Sequence, residues 1–174
     1  MAAVTDSLAT LTDDELLSVE ALAKKCLIEG AALADVQGYT EDEMEAVYHL
    51  AYNTYRQGKY EDARKLFQFL ALNDHLESRF WLGLAATCQV CGDYRQAIAG
   101  YEMAAVLEAT NPWPPFHAGE CYLVMNDWER SVMALQAVEI LCEAADGEGD
   151  HGELRARAAQ LRKVAERGLA AENP

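Results

Sequence analysis

Cys88 and Cys91 are separated by two residues, the one spacing in this chain that metal or thiol redox chemistry commonly uses. A zinc site needs a second Cys-x2-Cys or a His-x3-His to close the coordination shell, and neither is present in the sequence. Cys26, Cys121 and Cys142 complete an odd set of five with no paired framework. Cys88 fills a repeat packing slot and Cys91 precedes the turn glycine, while Cys26, Cys121 and Cys142 read as buried thiols of a reducing compartment. The histidines, His49, His75, His117 and His151, pair with no nucleophile or carboxylate at a telling spacing, and His75 and His117 read as loop or cap residues. No phosphate loop (G-x4-G-K-S/T) occurs. The expectation is a protein that binds and does not catalyse, with no metal and no cofactor.

What the chain offers in place of a reactive centre is a row of aromatic residues. Tyr48, Tyr52 and Tyr55 are spaced by four and three, which puts them on one face of a helix. The elements that position this row repeat. Arg79–Tyr101 carries Trp81-x2-Leu84-Ala85-x2-Cys88, then Gly92-x-Tyr94-x2-Ala97-x3-Tyr101. Moving back 34 residues gives Val47, Leu50, Ala51, Thr54, Gly58, Tyr60, Ala63 and Phe67. Moving forward 34 gives Pro115, Ala118, Gly119, Tyr122, Asn126, Trp128, Ser131 and Leu135. Small residues mark close helix crossings, Gly or Asn the turn, and aromatics the space between helices. This is the tetratricopeptide pattern of helix, tight turn and helix.

The expected fold is therefore all-α, an α-α superhelix of three tetratricopeptide repeats with an extra N-terminal helix and a C-terminal capping helix. The repeats fall at about 44–77, 78–111 and 112–144 within a region spanning 41–144. Their helices run roughly 41–57 and 60–72, 78–91 and 94–108, then 113–125 and 128–144. Thr40 with Glu43 forms a capping box at the start of the first repeat, and Pro112, Pro114 and Pro115 suit the first turn of a helix. Residues 1–40 form an N-terminal segment in which Thr12 and Glu15 cap a helix to about Glu29, with Leu16, Val19, Leu22, Ala23, Cys26 and Leu27 as its apolar stripe. Residues 145–174 give a breaker-rich loop and a last helix over about 153–170 that covers the open end of the stack.

Charge narrows the partner. The net charge is −15, which argues against nucleic acid and anionic membrane surfaces, since both need a basic face. Residues 1–45 hold 11 acids and 2 bases, whereas residues 152–170 hold five bases and two acids. No apolar run of 18 residues exists, and the acidic N-terminus does not read as a secretion signal, so the expected location is the cytosol.

A stack of such repeats leaves a concave groove lined by the first helix of each pair. Counting slots places Glu45, Tyr48, Tyr52 and Tyr55 of the first repeat there. The second repeat contributes Arg79, Leu82, Ala86 and Gln89, and the third Trp113, Phe116, Glu120 and Leu123. Tyrosines beside Leu82, Phe116 and Leu123 make an exposed apolar strip with polar tips, the usual composition of a binding surface. Three helices about 9–10 Å apart span on the order of 20–25 Å, the reach of an extended peptide of roughly seven residues. A groove that clamps a C-terminal carboxylate needs Lys, Arg and Asn where this one has Tyr48 and Tyr52, so an internal apolar or proline-containing segment is the expected ligand.

Several stretches resemble one family. These are Gly38-Tyr39-Thr40-Glu41-Asp42-Glu43-Met44-Glu45, Ala51-Tyr52-Asn53-x-Tyr55, Gly58-Lys59-Tyr60-Glu61-Asp62-Ala63, Asp74-His75, Ser78-Arg79-Phe80-Trp81-Leu82-Gly83-Leu84 and Pro115-Phe116-His117-Ala118-Gly119-Glu120-Cys121. They are similar to the class II type III secretion chaperones (LcrH/SycD-like, with IpgC-, PcrH- and SicA-like relatives) over about residues 28–142. The resemblance implies a bacterial cytoplasmic chaperone that holds hydrophobic translocator proteins before export. A short extended client segment with spaced prolines and a leucine would lie along Tyr48, Tyr52, Tyr55, Leu82, Ala86 and Phe116. It also implies homodimers through the N-terminal helix, in modes that vary, and in some members control of secretion genes through partners. The acidic N-terminal helix departs from the family in sequence. The alternative reading is a general repeat scaffold joining two soluble partners, which would not make an apolar client soluble on co-expression.

Overall fold

The computed structural model describes residues 38–144 and 151–172. The expected N-terminal helix of residues 12–29, its apolar stripe and most of the 146–152 loop lie outside the described residues. Within them the chain forms seven α-helices and no strand: α1 Glu41–Arg56, α2 Tyr60–Asn73, α3 Ser78–Val90, α4 Tyr94–Leu107, α5 Trp113–Val124, α6 Trp128–Ala144 and α7 Gly152–Glu172. Each helix packs against the next in sequence, and α7 lies along α6 with a lighter contact to α5. Among the described residues, no helix is long and apolar enough to cross a membrane.

Local chemistry sets the boundaries. Thr40 accepts from the Glu43 amide at 3.2 Å while the Glu43 carboxylate accepts from the Thr40 amide at 2.9 Å, the reciprocal capping box that opens α1. Asp93 caps α4 by accepting from the Gln96 amide. The repeat period is written into the backbone at the turns. Gly58, Gly92 and Asn126 have φ of +76°, +81° and +58°, and they are 34 residues apart. After each, an amide reaches back five residues to close the helix: Lys59 to Thr54 (3.2 Å), Asp93 to Cys88 (2.9 Å) and Asp127 to Tyr122 (2.9 Å). Asn is the residue after Gly that best tolerates this left-handed conformation, which is why it substitutes in the third turn.

The core is three clusters strung along the stack, as expected of an array in which each repeat touches only its neighbours. The first gathers residues such as Met44, Phe67, Leu70 and Phe80; the second Ala85, Cys88, Ala97, Tyr101 and Tyr122; the third Phe116, Leu135, Val138 and Leu154. Ala63, Ala97 and Ser131, the three crossing residues, are each fully buried. Ser131 also donates from its hydroxyl to the Gly119 carbonyl at 3.0 Å, tying α6 to α5. Ala97→Leu should therefore lower stability by about 1–3 kcal/mol through overpacking, read as a drop in the unfolding midpoint. An unchanged melting curve would contradict the repeat phase.

Burial pushes the Cys88 thiol up to about 11 and the Cys121 thiol to about 12, which disfavours the thiolate that metal binding or thiol exchange requires. One packing expectation is corrected. The 34-residue register aligns Leu50 with Leu84 and Ala118 and so gives it a core slot, yet Leu50 is 55% exposed. The slot packs against a preceding helix in the second and third repeats, and no described element precedes α1 to cover it.

Candidate functional site: the concave trough

The inner surface of the stack holds two hollows that share Tyr55, Leu82 and Ala86 and so form one continuous trough. The smaller hollow, about 220 Å³, lies between α1 and α3 and is walled by Tyr48, Tyr52, Phe67, Arg79 and Gly83 as well as the shared residues. The larger, about 850 Å³, runs on to α4 and α5 along Gln89, Val90, Tyr94, Tyr101, Trp113, His117 and Glu120, with Asn111 and Val124 at its margin.

At the first end the tyrosines differ in role. Tyr52 is 47% exposed and projects into the open trough. Tyr48 is half-buried. Its ring packs against Phe67 (centroids 6.1 Å apart) and Phe80 (5.8 Å), and burial raises its hydroxyl above the ordinary tyrosine range. Gly83 makes this floor: a Cβ there would fall 2.2–2.6 Å from the Phe67 ring, so only glycine lets α2 and α3 come this close. Arg79 lies over the Tyr48 ring, its guanidinium carbon 4.9 Å from the centroid. Its nitrogens meet Glu77 at 3.2–3.3 Å and Glu45 at 3.1–3.3 Å, and these bonds raise its pKa above the usual arginine value. Two carboxylates already hold this cation, the one guanidinium or ammonium lining the trough among the described residues. It is poorly placed to clamp a terminal carboxylate.

At the centre, Gln89 Oε1 accepts from the Tyr101 hydroxyl at 2.6 Å. That bond takes the amide oxygen of a residue that lines the trough, and so fixes which end of the amide is the donor. Tyr101 is only 2% exposed, and burial is the main cause of its raised pKa. At the far end the rings of Tyr101, His117 and Trp113 form a ladder: His117 stacks on Tyr101 (5.3 Å, 27°) and Trp113 on His117 (5.9 Å, 25°). His117 Nδ1 lies 2.9 Å from Glu120 Oε2.

Of the residues assigned to the groove from sequence, Tyr48, Tyr52, Tyr55, Arg79, Leu82, Ala86, Gln89, Trp113 and Glu120 line the trough; Glu45 stands behind it, holding Arg79. Phe116 and Leu123 do not line it. Phe116 is fully buried in the third core cluster, with Arg157 of α7 over its ring at 4.9 Å, and Leu123 packs against the same cluster. The reason is the capping helix. The last repeat has no successor, so α7 covers its open side and takes these two side chains into the core. Helix α5 then presents 113, 117, 120 and 124 to the trough, a spacing of four, three and four, in place of 113, 116, 120 and 123. His117 is accordingly neither a loop nor a cap residue, as the sequence suggested, but a mid-helix trough residue. The spacing of Trp113, His117, Glu120 and Val124 was the available signal, since it fits one helical face as well as the expected set does.

A tetratricopeptide repeat profile matches residues 44–75 and 78–111. Low calcium response locus protein H of Yersinia pestis is 42% identical over 114 residues, covering 66% of this chain and 66% of that protein. Chaperone protein SicA of Salmonella dublin is 35% identical over 130 residues, covering 75% of this chain and 74% of its own length. Among solved structures, the type III secretion translocator chaperone SycD of Yersinia enterocolitica superposes with a TM-score of 0.68 at 36% identity, over 77% of this chain and 98% of that one. PcrH, solved in complex with the chaperone binding region of PopD, gives 0.69 at 35% identity, over 75% and 96%. With its repeats, its trough and these likenesses taken together, the chain belongs to the tetratricopeptide-repeat family of type III secretion translocator chaperones.

Proposed function

We propose that this chain works in the bacterial cytoplasm as a chaperone of hydrophobic translocator proteins, binding an extended apolar segment of each along the trough and catalysing nothing. The observation that carries the reading is the continuity of the trough from Tyr48 and Tyr52 to Trp113 through the shared Tyr55, Leu82 and Ala86. An apolar segment buries its anchors between the rings, the Gln89 amide donates to its backbone, and the client is withheld from aggregation and from early partners. PcrH has been solved with the chaperone binding regions of PopD and of PopB, and SycD with a peptide of YopD, which supports the same use of this chain's trough. The domain roles follow: residues 41–144 bind the client, residues 145–174 close the stack, and residues 1–40 serve self-association. SycD has been solved as an alternative dimer, which supports self-association without saying which segment carries it.

Co-expression with a translocator carrying long apolar segments tests the proposal. The client should move from the insoluble to the soluble fraction and co-purify with the chain; a client that stays insoluble overturns it. Because Tyr52 projects into open space, Tyr52→Ala should leave the melting curve nearly unchanged while weakening client binding by about 1–3 kcal/mol. A collapse in thermal stability would instead make Tyr52 a core residue.

A further inference from the structure

We infer that the far end of the trough is a seat for one basic side chain of the bound segment, arginine in preference to lysine, held by the Glu120 carboxylate and the face of Trp113. The inference rests on the trough being the client site, and it adds a charge requirement to a ligand otherwise defined by apolar anchors. The large hollow is lined by aromatic, aliphatic and amide groups, and Glu120 is the carboxylate among them. Glu120 Oε2 is engaged by His117 Nδ1 at 2.9 Å. Among the described residues the charged partner of Oε1 is Arg157, at 3.8 Å, too far for a hydrogen bond. Arg157 is itself half-exposed and rests over Phe116, so its hold on Glu120 is loose.

In the tautomer that carries its hydrogen on Nδ1, His117 donates to Oε2 and so orients the Glu120 carboxylate. The geometry around that charge suits a flat cation. Trp113 is 43% exposed, and its ring is fixed by stacking on His117, which is in turn stacked on Tyr101. Trp113 and Glu120 line the same hollow, and a guanidinium can join a ring contact to a hydrogen bond with a carboxylate, whereas an ammonium makes only one of these contacts well. A second carboxylate, Glu108, accepts from the Asn111 amide at 2.7 Å beside the same hollow and adds to the negative potential at its mouth. The chain's net charge of −15 favours the approach of a basic segment in general; Glu120 fixes where along that segment the basic residue must fall.

The test uses the full chain and a ten-residue peptide of apolar residues with two prolines and a leucine. Arginine is scanned through each position, and citrulline, the same shape without the charge, is placed at the same positions. At one or two adjacent positions arginine should bind about tenfold more tightly than citrulline at low salt, the sum of a partly exposed ion pair and a cation–π contact. Lysine there should give a smaller gain. In Glu120→Gln the ratio of arginine to citrulline affinity should fall below about twofold, whatever the change in the parent peptide's own affinity. An arginine advantage at no position, or one that survives Glu120→Gln, overturns the seat and leaves the apolar trough standing. If the parent peptide itself fails to bind, the trough reading falls and the seat with it.

Discussion

Phe116→Ala should lower the unfolding free energy by about 3–5 kcal/mol, the usual range for deleting a buried aromatic ring. The ring is wholly buried among Leu135, Val138, Leu154 and Ala158, and α7 closes over it. Its loss opens a cavity at the joint between the third repeat and the capping helix. Urea titration would show the midpoint falling, and client affinity measured on the protein that remains folded should change little, because Phe116 does not reach the trough. A variant that melts normally but loses its client would place Phe116 on the binding surface, where the repeat count alone had put it.

Ala86→Phe should have the opposite signature. Ala86 is half-buried and lies at the waist where the two hollows meet. A benzyl group there fills the passage and breaks the trough into two short pockets. An extended segment can then use one pocket or the other but not both, so affinity should fall by roughly 2–4 kcal/mol, the range for losing a central anchor. Stability should change by less than about 1 kcal/mol, because the added ring enters open space. Calorimetric titration with a translocator segment reads the first quantity and thermal melting the second. Undiminished binding would mean that the client does not cross the waist.

The repeat architecture was legible in the sequence because each of its devices is local. Gly58, Gly92 and Asn126 announce left-handed turns, Ala63, Ala97 and Ser131 announce close crossings, and Thr40 with Glu43 announces a helix start. Each is a short-range requirement that a residue type meets or fails. The trough was legible along α1 and α3 for the same reason: the slots follow from a constant phase. Helix α5 departs because its neighbour is α7, a helix outside the repeat whose docking on Phe116 and Leu123 is a tertiary fact with no local mark. The same docking brings His117 to the inner face, between Tyr101 and Trp113. Such a ladder joins residues from two repeats, and no single stretch reveals it. Leu50 shows the converse at the first repeat, where the slot is kept in sequence but no described helix covers it.

The central claim is that a client segment lies extended in the trough. A photo-crosslinking amino acid placed in turn at Ala86, Gln89, Val106 and Met133, in chain co-expressed with a translocator, tests it most directly. Val106 and Met133 are exposed apolar residues outside the trough. Crosslinks should form from positions 86 and 89 to one short client segment, and none from 106 or 133. Crosslinks from 106 or 133 with none from 86 and 89 would contradict it.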